Sequence, residues 1–191
     1  MEVGMKSYAV KDLMVPLSEY ATVTEDATLY EAVLALEEAQ EKFDDKHTRY
    51  SHRAILILDK GGNIVGKLSQ LDVLRALEPK YQKMIQGKGL HHFGFAKEFE
   101  QSILEKFKLF ANPLDETCRK AAENNVKEFM YTPTEGEYVS EDATLDLAIH
   151  QLIVGHHQSL LVTRDKKIVG ILRLTDVFAY VFHAMKACFE K

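Results

Sequence analysis

The chain has 191 residues, 46% of them apolar and 28% charged, with a net charge of −5 and a pI near 5.9. That balance excludes a disordered polypeptide, and the acidic surplus excludes a general nucleic-acid binder, which needs basic surface to meet phosphates. No run approaches the roughly 18 uninterrupted apolar residues that a membrane-spanning helix requires.

Taken in chain order, the first element is a short helical lead, Val10–Met14, followed by an irregular stretch containing Pro16 and a brief strand at Thr22–Val23. The acidic "TEDATL" then places a capping Thr and carboxylates at a helix N-terminus, where they satisfy free N–H groups and the helix dipole. Leu29, Ala32, Val33 and Leu36 give that helix one apolar face. A charged extension, near 37–52, separates it from two strands, "AILILD" and "NIVGKLS", joined across the turn signal "KGG". The helix "LDVLRALEPKY" closes the segment.

After an intervening stretch the same order returns. "VKDLMVPLSEYATVTEDATLYEAV" (Val10 to Val33) aligns without gaps on "VKEFMYTPTEGEYVSEDATLDLAI" (Val126 to Ile149), and "IVGKLSQLDVL" (Ile64 to Leu74) on "IVGILRLTDVF" (Ile168 to Phe178). So long a match within one chain marks an internal duplication. The second copy contains a lead at Val126–Met130, Pro133, a strand at Tyr138–Val139, strands "SLLVT" and "KIVGILR" across "RDK", and the helix "TDVFAYVFHAMKACF". Each copy therefore reads strand, helix, strand, strand, helix. The expected organisation is a first repeat at 8–80, an inter-repeat helical insert at 81–123, and a second repeat at 124–188. Within the insert, Phe95, Phe99, Ile103, Phe107 and Phe110 predict an amphipathic helix, read as a core or dimer-facing seam. Pro113 breaks it before a second short helix.

These residues resemble the cystathionine β-synthase (CBS) domain, here as a tandem pair. The likeness lies in the Val-Lys-acid-apolar-Met lead, the Pro, the Val ahead of Asp-Ala-Thr-Leu, and the late Val-Gly-x-apolar-Ser/Thr-x-x-Asp. The second copy departs at the Ser/Thr position, where Arg173 stands. The resemblance implies an α/β (α+β) fold of two repeats packed with pseudo-two-fold symmetry, which commonly pairs into a homodimer. It also implies a regulatory, non-enzymatic module whose clefts bind AMP, ADP, ATP or S-adenosylmethionine and act on a separate protein partner.

Asp72 and Asp176 are the leading site candidates. A carboxylate after a strand and at the start of a helix can accept hydrogen bonds from both ribose hydroxyls. Ser69 can donate to a phosphate near the same helix N-terminus. The competing reading of "SQLD" is a capping box. Standing alone, the pattern favours the cap; the second copy, which loses the Ser and keeps the Asp, favours ribose binding. Thr175 is an alternative helix start that would leave Asp176 as a first-turn partner of the dipole. Arg173 reads equally as a solvated charge or as a bidentate phosphate grip. The resemblance places the base near Tyr20, Ala21 and Thr22 in one copy, with Glu137 and Tyr138 in the other, where they narrow the cleft. His52 and Arg53 are weaker candidates for a phosphate contact.

Other function classes find little support. Cys118 and Cys188 are isolated, and His91–His92 and His156–His157 lack a third ligand at metal-binding spacing. The N-terminal stretch has no signal-peptide pattern, so a cytoplasmic protein without nucleic-acid or membrane partners is expected. The alternative to a nucleotide sensor is a dimerisation scaffold on the same fold.

Overall fold

The computed structural model describes residues 8–41, 52–81, 105–106, 108–109 and 111–189. The Phe-rich helix expected in the insert, His91–His92 and most of the 37–52 extension lie outside the described residues. The mixed α/β class holds, with five α-helices and two sheets among the described residues.

In chain order the elements are β1 (Val15–Pro16), β2 (Thr22–Thr24), α1 (Leu29–Glu41), β3 (Ala54–Leu58), β4 (Ile64–Ser69), α2 (Gln70–Ala76), α3 (Leu114–Ala122), β5 (Tyr138–Ser140), α4 (Leu145–Val154), β6 (Ser159–Arg164), β7 (Lys167–Arg173) and α5 (Leu174–Phe189). The two leads are single 3-10 turns, Val10–Asp12 and Val126–Glu128, rather than α-helices. α1 begins five residues beyond Thr24. Its cap is a reciprocal box in which the Thr28 N–H donates to Glu31 (2.7 Å) and the Glu31 N–H donates to the Thr28 hydroxyl (3.2 Å). Leu29, Ala32 and Leu36 are buried as expected, whereas Val33 is 40% exposed and lies off the buried face.

The chain forms two compact units, each containing parts of both repeats: residues 1–21, 36–52 and 132–191 in one, 22–35 and 53–131 in the other. The first carries a four-stranded sheet in the order β1-β7-β6-β5, with β5 parallel to β6 and the other pairs antiparallel. The second carries β2-β3-β4, with β2 parallel to β3, and an isolated bridge from Lys67 to Tyr131 at its edge. Both hairpin turns use left-handed backbone: Gly62 (φ 79°) between β3 and β4, Asp165 and Lys166 (φ 49° and 66°) between β6 and β7.

The repeated motifs are the contacts through which each lead meets the other repeat's body. In the first unit the Val10 N–H donates to the Ala143 carbonyl (2.9 Å), and the Leu145 N–H to the Tyr8 carbonyl (3.0 Å). The second unit repeats the pair as Val126 to Ala27 (3.0 Å) and Leu29 to Asn124 (2.9 Å). Lys11 reaches Asp142 at 2.7 Å, and Lys127 reaches Glu25 at 2.9 Å. Val10 is fully buried with Val139, Leu145, Ala148, Leu160, Val162, Leu172 and Val177 in one apolar core. The Val-Lys lead and the Glu-Asp-Ala-Thr-Leu segment thus recur because they face each other.

The glycine of Ile-Val-Gly has a matching reason. A Cβ on Gly66 would collide with the Met130 sulfur, and one on Gly170 would lie 2.6 Å from the Val15 carbonyl oxygen and 3.0 Å from the Met14 sulfur. Close packing of the opposite lead, rather than unusual backbone, requires glycine at both positions.

Candidate functional site

Each Asp at the start of the helix after Ile-Val-Gly is held differently. Ser69 ends β4 in extended conformation (φ −86°, ψ 164°), which lets its side chain turn back over the first turn of α2. Its N–H and hydroxyl donate to the Asp72 carboxylate at 2.9 and 2.5 Å, and its hydroxyl accepts from the Asp72 N–H at 3.3 Å. This is the capping box of the sequence reading, fully formed. The other Asp72 oxygen, Oδ1, takes one hydrogen bond of 2.9 Å from Arg75, whose side chain is 42% exposed.

In the second copy a guanidinium stands where the capping hydroxyl was. Arg173 ends β7, and its Nε and Nη2 donate to the two oxygens of Asp176 at 2.6 and 2.7 Å. The side chains are 6% and 9% exposed, so the solvated-charge reading of Arg173 does not hold. The third guanidinium nitrogen lies 3.4 Å from His52 Nδ1. Each Asp therefore has an arginine three residues away, but on opposite sides: Arg75 follows and is half-buried, Arg173 precedes in the interior. α5 begins at Leu174, which puts Thr175 and Asp176 in its first turn.

His52 and Tyr20 complete the surroundings of Arg173. The His52 ring is 1% exposed and packs edge-on against Tyr20, with ring centroids 4.6 Å apart. Burial, and secondarily the Arg173 charge, hold the imidazole below its ordinary pKa, against a hydrogen bond to the Glu19 main chain and the Asp176 charge. Burial pushes the Tyr20 phenol up to about 12, with Arg173 opposing and Asp176 reinforcing. His52, a weaker candidate for a phosphate contact, is buried beside Arg173. Arg53 is exposed.

Tyr20 and Ala21, buried at the end of the first lead, share a unit with Arg173, Thr175 and Asp176, the site residues of the second copy. Thr22 opens β2, opposite Leu56, in the unit that holds Ser69 and Asp72. Glu137 is 2% exposed and accepts from the Thr134 N–H at 3.1 Å, so its carboxylate is drawn into a cap. Tyr138 starts β5 opposite Leu161, and its carbonyl accepts from the Gln151 amide at 3.2 Å.

Beside Asp176 lies a cavity of about 470 Å³, bounded by the first lead from Asp12 to Pro16, by Glu19, and by Asp176, Ala179, Tyr180 and His183 on one face of α5. Asp176 is legible in the sequence and the rest of this wall is not, because the lead's place against α5 follows from the exchange between repeats. The i, i+3, i+4, i+7 spacing of Asp176, Ala179, Tyr180 and His183 was the available signal. Among the described residues no group of three or more His, Cys, Asp or Glu side chains is arranged to hold a metal ion, and no helix is long and apolar enough to cross a membrane.

The family model for the CBS domain matches the chain twice, at residues 10–79 and 126–183. The chain belongs to the CBS domain family. It carries the domain as a tandem pair, and solved CBS structures share its fold at low sequence identity. CBSX2, crystallised in complex with AMP, is 20% identical over 93% of this chain and 98% of its own, with a TM-score of 0.55. A putative acetoin utilization protein (AcuB) from Vibrio cholerae is 18% identical over 97% and 98%, with a TM-score of 0.58. The CBS domain of a membrane protein from Sphaerobacter thermophilus is 16% identical over 92% and 88%, also at 0.58. A comparison with curated proteins finds no match to this chain.

Proposed function

We propose that this tandem CBS chain is a regulatory module of the cytoplasm that binds an adenine nucleotide (AMP, ADP or ATP) or S-adenosylmethionine and acts in trans on a separate protein. The observation that carries the reading is the Asp72 carboxylate. One oxygen is fixed by the Ser69 cap, which aims the group; the other is bonded only to the half-buried Arg75. The Asp72 side chain is 13% exposed and that of Arg75 42%, so Arg75 can turn to solvent and yield this oxygen to ribose hydroxyls. The AMP complex of CBSX2 supports the choice of ligand class. Binding would act by favouring one of two conformations, and only to the extent that the ligand's affinities for them differ.

A thermal-shift panel with the four ligands tests this. At 100 times its dissociation constant a ligand adds about 2.7 kcal/mol to stability, which for a chain of this size raises the melting temperature by roughly 5–10 °C. No shift from any of the four at millimolar concentration would remove the sensor reading. It would leave a dimerisation scaffold, which a different observation favours: α5 exposes Phe178, Phe182, Met185 and Phe189 at 61%, 52%, 59% and 89%, an apolar seam spaced for a second copy.

A further inference from the structure

We propose that Arg173 is an internal occupant of the second nucleotide site, so that the wild-type chain binds one ligand, at Asp72, and none at Asp176. The proposal rests on the nucleotide-binding reading and deepens it. A ribose diol needs at least one Asp carboxylate oxygen that it can reach, and at Asp176 the Arg173 fork occupies both, at 2.6 and 2.7 Å, with both side chains more than nine-tenths buried. Displacing that fork would separate a bidentate ion pair whose side chains are 6% and 9% exposed. Separating such a buried pair weakens any competing ligand by on the order of 100-fold or more.

Space is not what the second site lacks. The cavity of about 470 Å³ already lies against Asp176. At the carboxylates the decisive difference is that Ser69 leaves one Asp72 oxygen exchangeable, whereas Arg173 takes both Asp176 oxygens out of use. Removing the guanidinium should create a site rather than only lose a contact. In Arg173→Ser the hydroxyl would restore the cap found at Ser69.

Isothermal titration of the full chain with AMP reads the stoichiometry. The expected results are one equivalent per wild-type chain, two for Arg173→Ser, and one for Arg173→Ser combined with Asp72→Asn. If Arg173→Ser does not melt cooperatively, Arg173→Gln replaces it, since one amide donor leaves an Asp176 oxygen open. Two equivalents on the wild type, or a single equivalent on both proteins, overturns the proposal while leaving nucleotide binding intact. No heat from either protein with AMP, ADP, ATP or S-adenosylmethionine overturns the nucleotide reading and this inference with it.

Discussion

Arg173 grips Asp176 through two parallel hydrogen bonds in the interior, in the place where Ser69 and Asp72 form an ordinary helix cap. A buried pair of this kind contributes little net stability when both partners are present, because desolvation offsets the attraction; removing one partner is costly because the other remains charged and buried. Arg173→Ala is therefore expected to lower unfolding stability by about 3–5 kcal/mol. Ser69→Ala removes only a cap and should cost about 1 kcal/mol. Urea unfolding of both variants checks this, and equal losses would contradict the distinction.

The two Ile-Val-Gly glycines should differ in their tolerance of a methyl group. At Gly170 the obstacle is the Val15 carbonyl, held in the β1–β7 ladder, whereas at Gly66 it is the end of the flexible Met130 side chain. Gly170→Ala should cost about 1–3 kcal/mol as overpacking, and Gly66→Ala less. The penalty at Gly66 should shrink in a Met130→Ala background, while that at Gly170 should persist in Met14→Ala. Denaturant midpoints of the four single and two double variants read the coupling.

Acid should act on His52 before it acts on the carboxylates. The folded pKa of this imidazole lies below its ordinary 6.5, so the unfolded chain binds the proton more readily. Its contribution to stability is complete above pH 6.5 and is lost as pH falls from there through the folded pKa. The melting temperature of the wild type should fall as the pH drops below the ordinary imidazole value of 6.5, and His52→Phe should flatten that slope. Carboxylates held low by their partners, such as Glu141 beside Arg164, lose their contributions only at lower pH.

Two charges in the exposed seam of α5 should separate a homodimer. Phe178→Glu with Phe182→Glu leaves the buried face of the helix, including Val177, untouched. Light scattering after size exclusion should report a dimer for the wild type and a folded monomer for the double variant. A wild-type monomer would remove both the dimer and the scaffold alternative.

Much of the fold was legible because its signals are local. Strand alternation, the two hairpin turns and the duplicated motifs lie within contiguous stretches, and β3, β4, β6 and β7 fall where the pattern places them. What was not legible is the partner of each motif. Val10 and Lys11 read as part of their own repeat; only the structure shows them meeting Ala143 and Asp142. For the same reason Tyr20 reads by position as part of the first copy, whereas it lies in the unit of Arg173 and Asp176. The Ser69-to-Arg173 change was visible as a difference between copies. That the guanidinium faces inward onto Asp176 depends on burial, which a strand-end arginine does not disclose.

The central claim, that Asp72 receives a ribose, is tested most directly by a binding cycle with AMP and 2′,3′-dideoxy-AMP on the wild type and on Asp72→Asn, which keeps a cap acceptor. Hydrogen bonds to a charged group contribute about 1.5–3 kcal/mol each. Removing either the hydroxyls or the charge should therefore weaken binding by at least about tenfold, and removing both should cost little more than removing one. Equal affinity of the wild type for the two ligands, or undiminished AMP binding by Asp72→Asn, would contradict it.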